Sequence, residues 1–297
     1  MKATVTEEFP REESATTEIL RCRAAHAPVV ETDQLAREEP LEIRVDGRSV
    51  AVTMRTPGHD KELAAGFLLS EGIIYGKDDV LDIVDSEGCE TSEFRNILDV
   101  LPAPEIEVDF ERLSRHVFGS SSCGVCGKAS IEAIHHSFPP IAQDGPVVPM
   151  DMIVRMPDTL RDAQATFLKT GGLHASAIFD RNGRLIVLRE DVGRHNALDK
   201  VIGYGLLHGL LPFDAHVLLV SGRTSFEIVQ KALAARISIV CAVSAPSSLA
   251  VEFARESGQT LIGFLRAGSM NIYSHPERIE GMQAASTALH AAVAVAR

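Results

Sequence analysis

The stretch "SSSCGVCGKASIEAI", Ser120 to Ile134, sets two thiols three residues apart, Cys123 and Cys126, in a run of serine and glycine. A C-x-x-C pair can do four kinds of chemistry. Half of a zinc site needs two further ligands, and Cys22, Cys89 and Cys241 each stand alone. A thioredoxin-like redox pair follows a strand and opens a helix. The helical pattern "KASIEAI" is present, but "FGSSS" is not a strand pattern. A zinc deaminase carries H-x-E upstream and a proline before its first cysteine. Here His275-Pro276-Glu277 lies downstream, and Ser122 precedes Cys123. A sulfur carrier uses a thiolate to attack an S–S bond or a persulfide and to hold the outer sulfur. It needs a mobile loop, which Gly119 through Ser122, Gly124 and Gly127 supply. It also needs thiolate character, which a following helix N-terminus and Lys128 favour. The residues fit this fourth chemistry best; a zinc half-site and a redox pair remain alternatives.

Other polar groups suit anion binding. Three apolar strands end in "VSGRTS" (Val220 to Ser225), "VSAPSS" (Val243 to Ser248) and "GFLRAGSMNIY" (Gly263 to Tyr273). Small residues there let a ligand approach the backbone. Hydroxyls and guanidinium groups, from Thr224, Ser225, Arg223 and Arg266, match phosphate oxygens. Thr224 and Ser247 have a purely structural use as helix caps, with Thr224 and Glu227 forming a capping box. In "REDVGRHNALDKVIG" (Arg189 to Gly203), Asn196 reads as an N-cap with Asp199 three residues on. That leaves Glu190, Asp191, Arg194 and His195 clustered without local need, with His174 a candidate neighbour. Neither G-x-x-x-x-G-K-[ST] nor G-x-G-x-x-G occurs, so a P-loop or ordinary dinucleotide fold is not supported.

These residues need a scaffold. "PLEIRVDGRSVAVTMR" alternates around Asp46-Gly47 and predicts a hairpin. "DKELAAGFLLSEGII" predicts a helix stopped by Gly72. "RNILDVLP" and "IEVDFERL" read as strands, and "KASIEAIHHSF" as a helix ending at Pro139-Pro140. Pro139 to Met150 reads as a linker. "MPDTLRDAQATFLKTGG" then predicts one helix closed by Gly171-Gly172, and "HASAIFDRNGRLIVLRE" a hairpin turning at Asn182-Gly183. The continuous apolar runs "HVLLVSG", "SIVCAVS" and "TLIGFLR" alternate with helical patterns and predict parallel strands with right-handed crossovers. The expected organisation is a disordered tail at 1–25, an α+β subdomain at 26–140 and an α/β cofactor-binding domain at 150–297.

The chain has 297 residues, 41 acidic against 29 basic, for a formal net charge of −12. That balance disfavours nonspecific nucleic-acid or anionic-membrane binding but leaves room for a local basic patch. No apolar run approaches ~20 residues, so no helical membrane span is expected. Five irregularly spaced cysteines do not make a secreted disulfide framework, and a reducing compartment fits them better.

"SSSCGVCGKASIE", "TGGLHASAIFD", "EDVGRHNALDKVIG", "SGRTSFEIVQKA", "AVSAPSSLAVEFA" and "TLIGFLRAGSMNIY", in this order, resemble the formate dehydrogenase accessory sulfurtransferase family, FdhD. The resemblance runs from about Pro40 to the end. It implies a cytoplasmic homodimer that accepts sulfur from a cysteine desulfurase. The sulfur passes to the molybdenum bis(molybdopterin guanine dinucleotide) cofactor, a bound substrate, before that cofactor enters formate dehydrogenase. It further implies that Cys123 is the persulfide-forming thiol and Cys126 an auxiliary one. The guanine-dinucleotide contact would map to Phe264, Leu265, Arg266, Ala267, Gly268 and Ser269. The implied fold is α/β, a cytidine deaminase-like sandwich in the C-terminal half without the deaminase zinc, beside the smaller α+β N-terminal subdomain. A cofactor-binding chaperone without sulfur transfer is the alternative function, and a free-standing redox protein a third.

Overall fold

Strands read as continuous apolar runs are covered on both faces, and three of them form the centre of the molecule. In the computed structural model, which describes residues 12–85, 96–106, 108, 110, 134–142, 145–266 and 268–283, β9 (His216–Val220), β10 (Ile239–Ala242) and β11 (Thr260–Arg266) lie parallel. Helices α5 (Phe226–Ala234) and α6 (Ser248–Glu256) connect them, as the alternating pattern predicts. The hairpin β7 (His174–Asp180) and β8 (Leu185–Asp191) adds antiparallel beside β9, and β12 (Ser269–Ser274) adds antiparallel beside β11. The sheet order is β12-β11-β10-β9-β7-β8. Helix α4 (Arg194–Leu207), α5 and α6 bury one face, through Leu198, Ile202, Val229 and Phe253. Helix α2 (Met150–Ala163) buries the other, through Met152, Ile153, Met156 and Leu160.

A second sheet of order β4-β3-β6-β5 is built from β3 (Glu39–Val45), β4 (Arg48–Arg55), β5 (Val80–Asp85) and β6 (Ile97–Pro102). The β3–β4 turn has Asp46 and Gly47 both at positive φ, as an Asp-Gly hairpin requires. Helix α1 (Asp60–Ser70) packs on this sheet and on α4. The α1–α4 contact is backbone to backbone. A Cβ on Gly66 would lie 1.8 Å from the Asp199 carbonyl oxygen, and one on Gly203 1.8 Å from that of Glu62. Apolar residues from β3 through α6 consequently share one core. Buried polar groups are matched across the same junction. Lys231 of α5 meets the Asp199 carboxylate at 2.9 Å and the Ser70 hydroxyl at 2.8 Å. No helix among the described residues is long and apolar enough to cross a membrane.

Several expectations are corrected. Ser14–Arg21 of the expected tail is a strand, β1, paired antiparallel with β2 (Val29–Ala36). The acidic residues before it, and its own mixed composition, hide it because cross-strand pairs hold it: Leu20 opposite Val30, and Arg21 bonded to Glu31. The single helix expected after the linker is two, α2 and α3 (Ala165–Thr170), broken at Gln164. Helix α2 starts at Met150 and continues through Pro157, because its apolar stripe on the sheet outweighs the local cost of proline. Gly171, at φ 66°, ends α3 as expected. The Pro139–Met150 segment is not free of the domain. Ile141 donates to the Ser257 carbonyl, and Val148 bridges to Ile279. Of "IEVDFERL", Ile106 lies outside any strand and most of the remainder falls outside the described residues. Residues 134–137 of "KASIEAIHHSF" are helical; the earlier part is not among the described residues.

Candidate functional site

The topology brings the polar strand ends to one edge. β9, β10 and β11 finish there, while the antiparallel β7 and β12 begin there and β8 ends there. The three loops are tied side by side. Thr224 N–H donates to the Ala245 carbonyl (3.2 Å) and Ser247 N–H to the Thr224 carbonyl (2.9 Å). Phe264 N–H donates to the Ser244 carbonyl (3.1 Å). A Cβ on Gly263 would lie 2.8 Å from Pro246, so glycine sets the approach of the second and third loops.

His174, Arg194, His195 and Arg223 converge at the β7–β9 part of this edge. His174 opens β7, and its ring lies against Gly222, where a Cβ would come within 3.2 Å of Nδ1. The Arg194 side chain approaches the same glycine, 3.8 Å from that Cβ position. Burial, and then the positive fields of Arg194, His195 and Arg223, hold the His174 imidazole below its ordinary pKa; Asp191 only partly opposes them. His195 Nε2 stands 3.1 Å from the Ser225 hydroxyl and 3.0 Å from the Glu227 carboxylate. The bond to His195, against some desolvation, draws the Glu227 carboxyl below its usual range. Among the described residues neither Arg194 nor Arg223 pairs with a carboxylate, and buried Arg194 Nε and Thr224 Oγ1 have no hydrogen-bond partner.

The carboxylates that the sequence groups with this cluster turn out to hold the scaffold. Glu190 accepts from the N–H groups of Thr166 (2.9 Å) and Phe167 (2.8 Å), satisfying free donors at the start of α3. Asp191, fully buried, pairs with Lys200 at 2.7 Å and accepts from Thr56 N–H, Gly193 N–H and the Asn196 amide. Asn196 is not the N-cap. Gly193 holds that place, and Asn196 donates to Asp191 and to the Met54 carbonyl. These bonds fix the start of α4 and so the positions of Arg194 and His195. Thr224 and Glu227 form no capping box; Ser225 is the N-cap of α5, without a side-chain bond, because its hydroxyl and Glu227 both turn to His195. Ser247 does cap α6, accepting from Ala250 N–H. The observed roles of Gly222, Glu227 and the Asp191–Lys200 pair were missed from sequence. Their roles are contacts between elements, and no local pattern encodes them.

The Phe264–Ser269 segment makes the other end of the edge. Phe264 has positive φ (53°), and the β11–β12 register shifts between Gly263 and Arg266. Leu265 is fully buried in the core facing α2, so its side chain is unavailable to a ligand. Arg266, Gly268 and Ser269 are exposed. The Arg266 guanidinium lies over the Phe264 ring, 5.6 Å from its centroid, and Ser269 Oγ donates to the Arg266 carbonyl. Ala267 lies outside the described residues, as do Cys123, Cys126 and Cys89. Of the remaining cysteines, Cys22 is exposed and Cys241 is buried in β10. Burial pushes the Cys241 thiol up, keeping it protonated and unreactive.

The FdhD/NarQ family matches residues 36–280. A protein of Streptomyces avermitilis named sulfur carrier protein FdhD is 51% identical over 251 residues, covering 83% of this chain and 89% of that one. One of the same name from Mycolicibacterium paratuberculosis is 52% identical over 260 residues, covering 84% and 93%. A crystal structure of a candidate formate dehydrogenase accessory protein from Desulfotalea psychrophila superposes with a TM-score of 0.71 at 25% identity. It covers 90% of this chain and 100% of that one. A match that spans both the cysteine pair and the polar sheet edge leaves one assignment: this chain belongs to the FdhD/NarQ family.

Proposed function

We propose that the chain is a sulfur carrier for formate dehydrogenase maturation. It takes persulfide sulfur from a cysteine desulfurase and passes it to the molybdenum bis(molybdopterin guanine dinucleotide) cofactor. The observation that carries this reading is the family match across residues 36–280, which includes Cys123 and Cys126, with curated relatives named sulfur carrier protein. In the loading step the Cys123 thiolate attacks the outer sulfur of the donor's persulfide. The donor S–S bond breaks, the donor cysteine leaves as thiolate, and Cys123 holds the transferred sulfur as a new persulfide, with no net oxidation. Cys126 is an auxiliary thiol.

The cofactor is cargo. Its phosphate-bearing end fits the polar edge: among the described residues Arg194 Nε and Thr224 Oγ1 lack partners, and Gly222 leaves the backbone approachable. Phe264, Arg266, Gly268 and Ser269 border the same edge, with Ala267 between them in sequence, and Leu265 supports them from the core. The protein acts as a cytoplasmic homodimer in this reading, and a cytidine deaminase-like arrangement of the C-terminal half belongs to the same account.

The test is activation of formate dehydrogenase in cells that lack this protein. Cys123→Ala should bind cofactor yet fail to restore activity. Full restoration by Cys123→Ala would instead support a chaperone that holds the cofactor without transferring sulfur.

A further inference from the structure

We propose that the β1–β2 ribbon is an arm that joins two copies of this chain, the tip of each arm seated on the base of the other. The inference rests on the homodimer of the proposed function and names the surface that joins it. Neither strand contains a fully buried residue, and a lone two-stranded ribbon is marginally stable in water. The ribbon is anchored at one end. Arg37 N–H donates to the Glu13 carbonyl (2.9 Å) and Arg37 Nε to that of Ser14 (3.1 Å), while the Thr166 hydroxyl of α3 bonds to the Glu13 carboxylate. Eight residues in each strand carry the other end roughly 26 Å from these anchors.

Exposed apolar side chains stand at both ends of the arm. Leu20, Val29 and Val30 form the tip, where Leu20 lies opposite Val30. Leu35, opposite Ala15, and Leu168 of α3, which packs on β2, form the base. All five are between 49% and 69% exposed. Val30 and Leu35 are roughly 17 Å apart along β2. A two-fold axis through the middle of the arm, near Thr17 and Thr32, lays each tip on the other base. Such an axis makes one patch complementary to itself, which is what a symmetric dimer needs.

Charge and area favour a second copy as the occupant. Two bodies of net charge −12 repel, so they meet where charge is sparse or already paired. Residues 14–36 hold three carboxylates against two arginines. Of these, Glu18 accepts from the Thr32 hydroxyl (3.1 Å) and Glu31 pairs with Arg21. The five apolar side chains expose roughly 500 Å² per copy. Two copies would therefore cover roughly 1,000 Å², the size at which specific interfaces begin.

Sedimentation equilibrium of the full chain, of Val30→Glu at the tip and of Leu35→Lys at the base tests the arm. The wild-type chain should sediment as a dimer. Each variant alone should dimerise about tenfold more weakly or worse, because both tip–base contacts then carry the change. An equal mixture of the two variants should recover dimer, since one contact is then wild type and the other sets Glu against Lys. Both positions are exposed, so neither substitution disturbs the core. Wild-type dimerisation by both variants would overturn the arm and leave the homodimer reading standing. Weakened variants that gain nothing on mixing would overturn the tip-on-base pairing. A wild-type chain that stays monomeric at the highest concentration measured would refute the arm and the homodimer together.

Discussion

His174, buried among cations, takes up its proton at lower pH than an exposed histidine, and Cys241, protonated in the core, offers no thiolate to a sulfur donor. His174 has its pKa lowered below the ordinary 6.5 by burial and by Arg194, His195 and Arg223. Below pH 6.5 the unfolded chain binds a proton here before the folded chain does. Stability from this group is therefore complete above 6.5 and falls as pH drops toward the folded value. Thermal melts from pH 7.5 down to 5.5 should show Tm falling, and His174→Gln should have a shallower slope; an unchanged slope would show that His174 does not carry the effect. Cys241 is shielded and protonated, and among the described residues Cys22 bonds to the Leu20 carbonyl and to no basic side chain. A Cys22→Ser, Cys241→Ala double variant should accept sulfur at the wild-type level in a persulfide-labelling assay. Arg194 and His195 could be singled out in sequence because they had no local structural use. Glu190 and Asp191 misled because a carboxylate that caps a neighbouring helix or pairs with a buried lysine looks the same in sequence as one in a site.

At the scale of elements, the closest junction is the α1–α4 crossing. Gly203→Ala drives a methyl into the Glu62 carbonyl. Overpacking usually costs ~1–3 kcal/mol, and a clash with backbone cannot be relieved by a rotamer change. Urea denaturation should report a loss of about 3 kcal/mol or more; a loss under ~1 kcal/mol would mean that the helices separate easily. The Lys231–Asp199 pair nearby is buried on both sides. Desolvation disfavours the Lys231 charge, but Asp199, together with Glu71 and Glu227, outweighs it and keeps the ammonium above its ordinary pKa. Lys231→Met strands the carboxylate and should cost ~3–5 kcal/mol, most of it recovered by adding Asp199→Leu. If the double variant is no more stable than the single, the pair is not the cause. Hairpins announced by Asp46-Gly47 and Asn182-Gly183, and strands announced by "HVLLV" and "SIVCA", were legible because turn chemistry and full burial leave local marks. The α2–α3 break at Gln164 was not, since neither glycine nor proline stands there, and β1 was not, since its partner strand supplies what holds it.

A protein of net charge −12 gathers His174, Arg194, His195 and Arg223 at one end of a sheet edge. Its parallel centre and crossovers follow from apolar runs that alternate with helical patterns, whereas the convergence of β7, β9 and α4 on Gly222 depends on tertiary contacts that no single segment carries. The account's central claim is that Cys123 carries sulfur. The most direct measurement is intact-protein mass after incubation with a cysteine desulfurase and cysteine. The wild-type chain should gain one sulfur, roughly 32 Da, that thiol reductant removes by exchange, and Cys123→Ala should gain none. An equal gain in Cys123→Ala, or no gain in the wild-type chain while the desulfurase itself is loaded, would contradict the account.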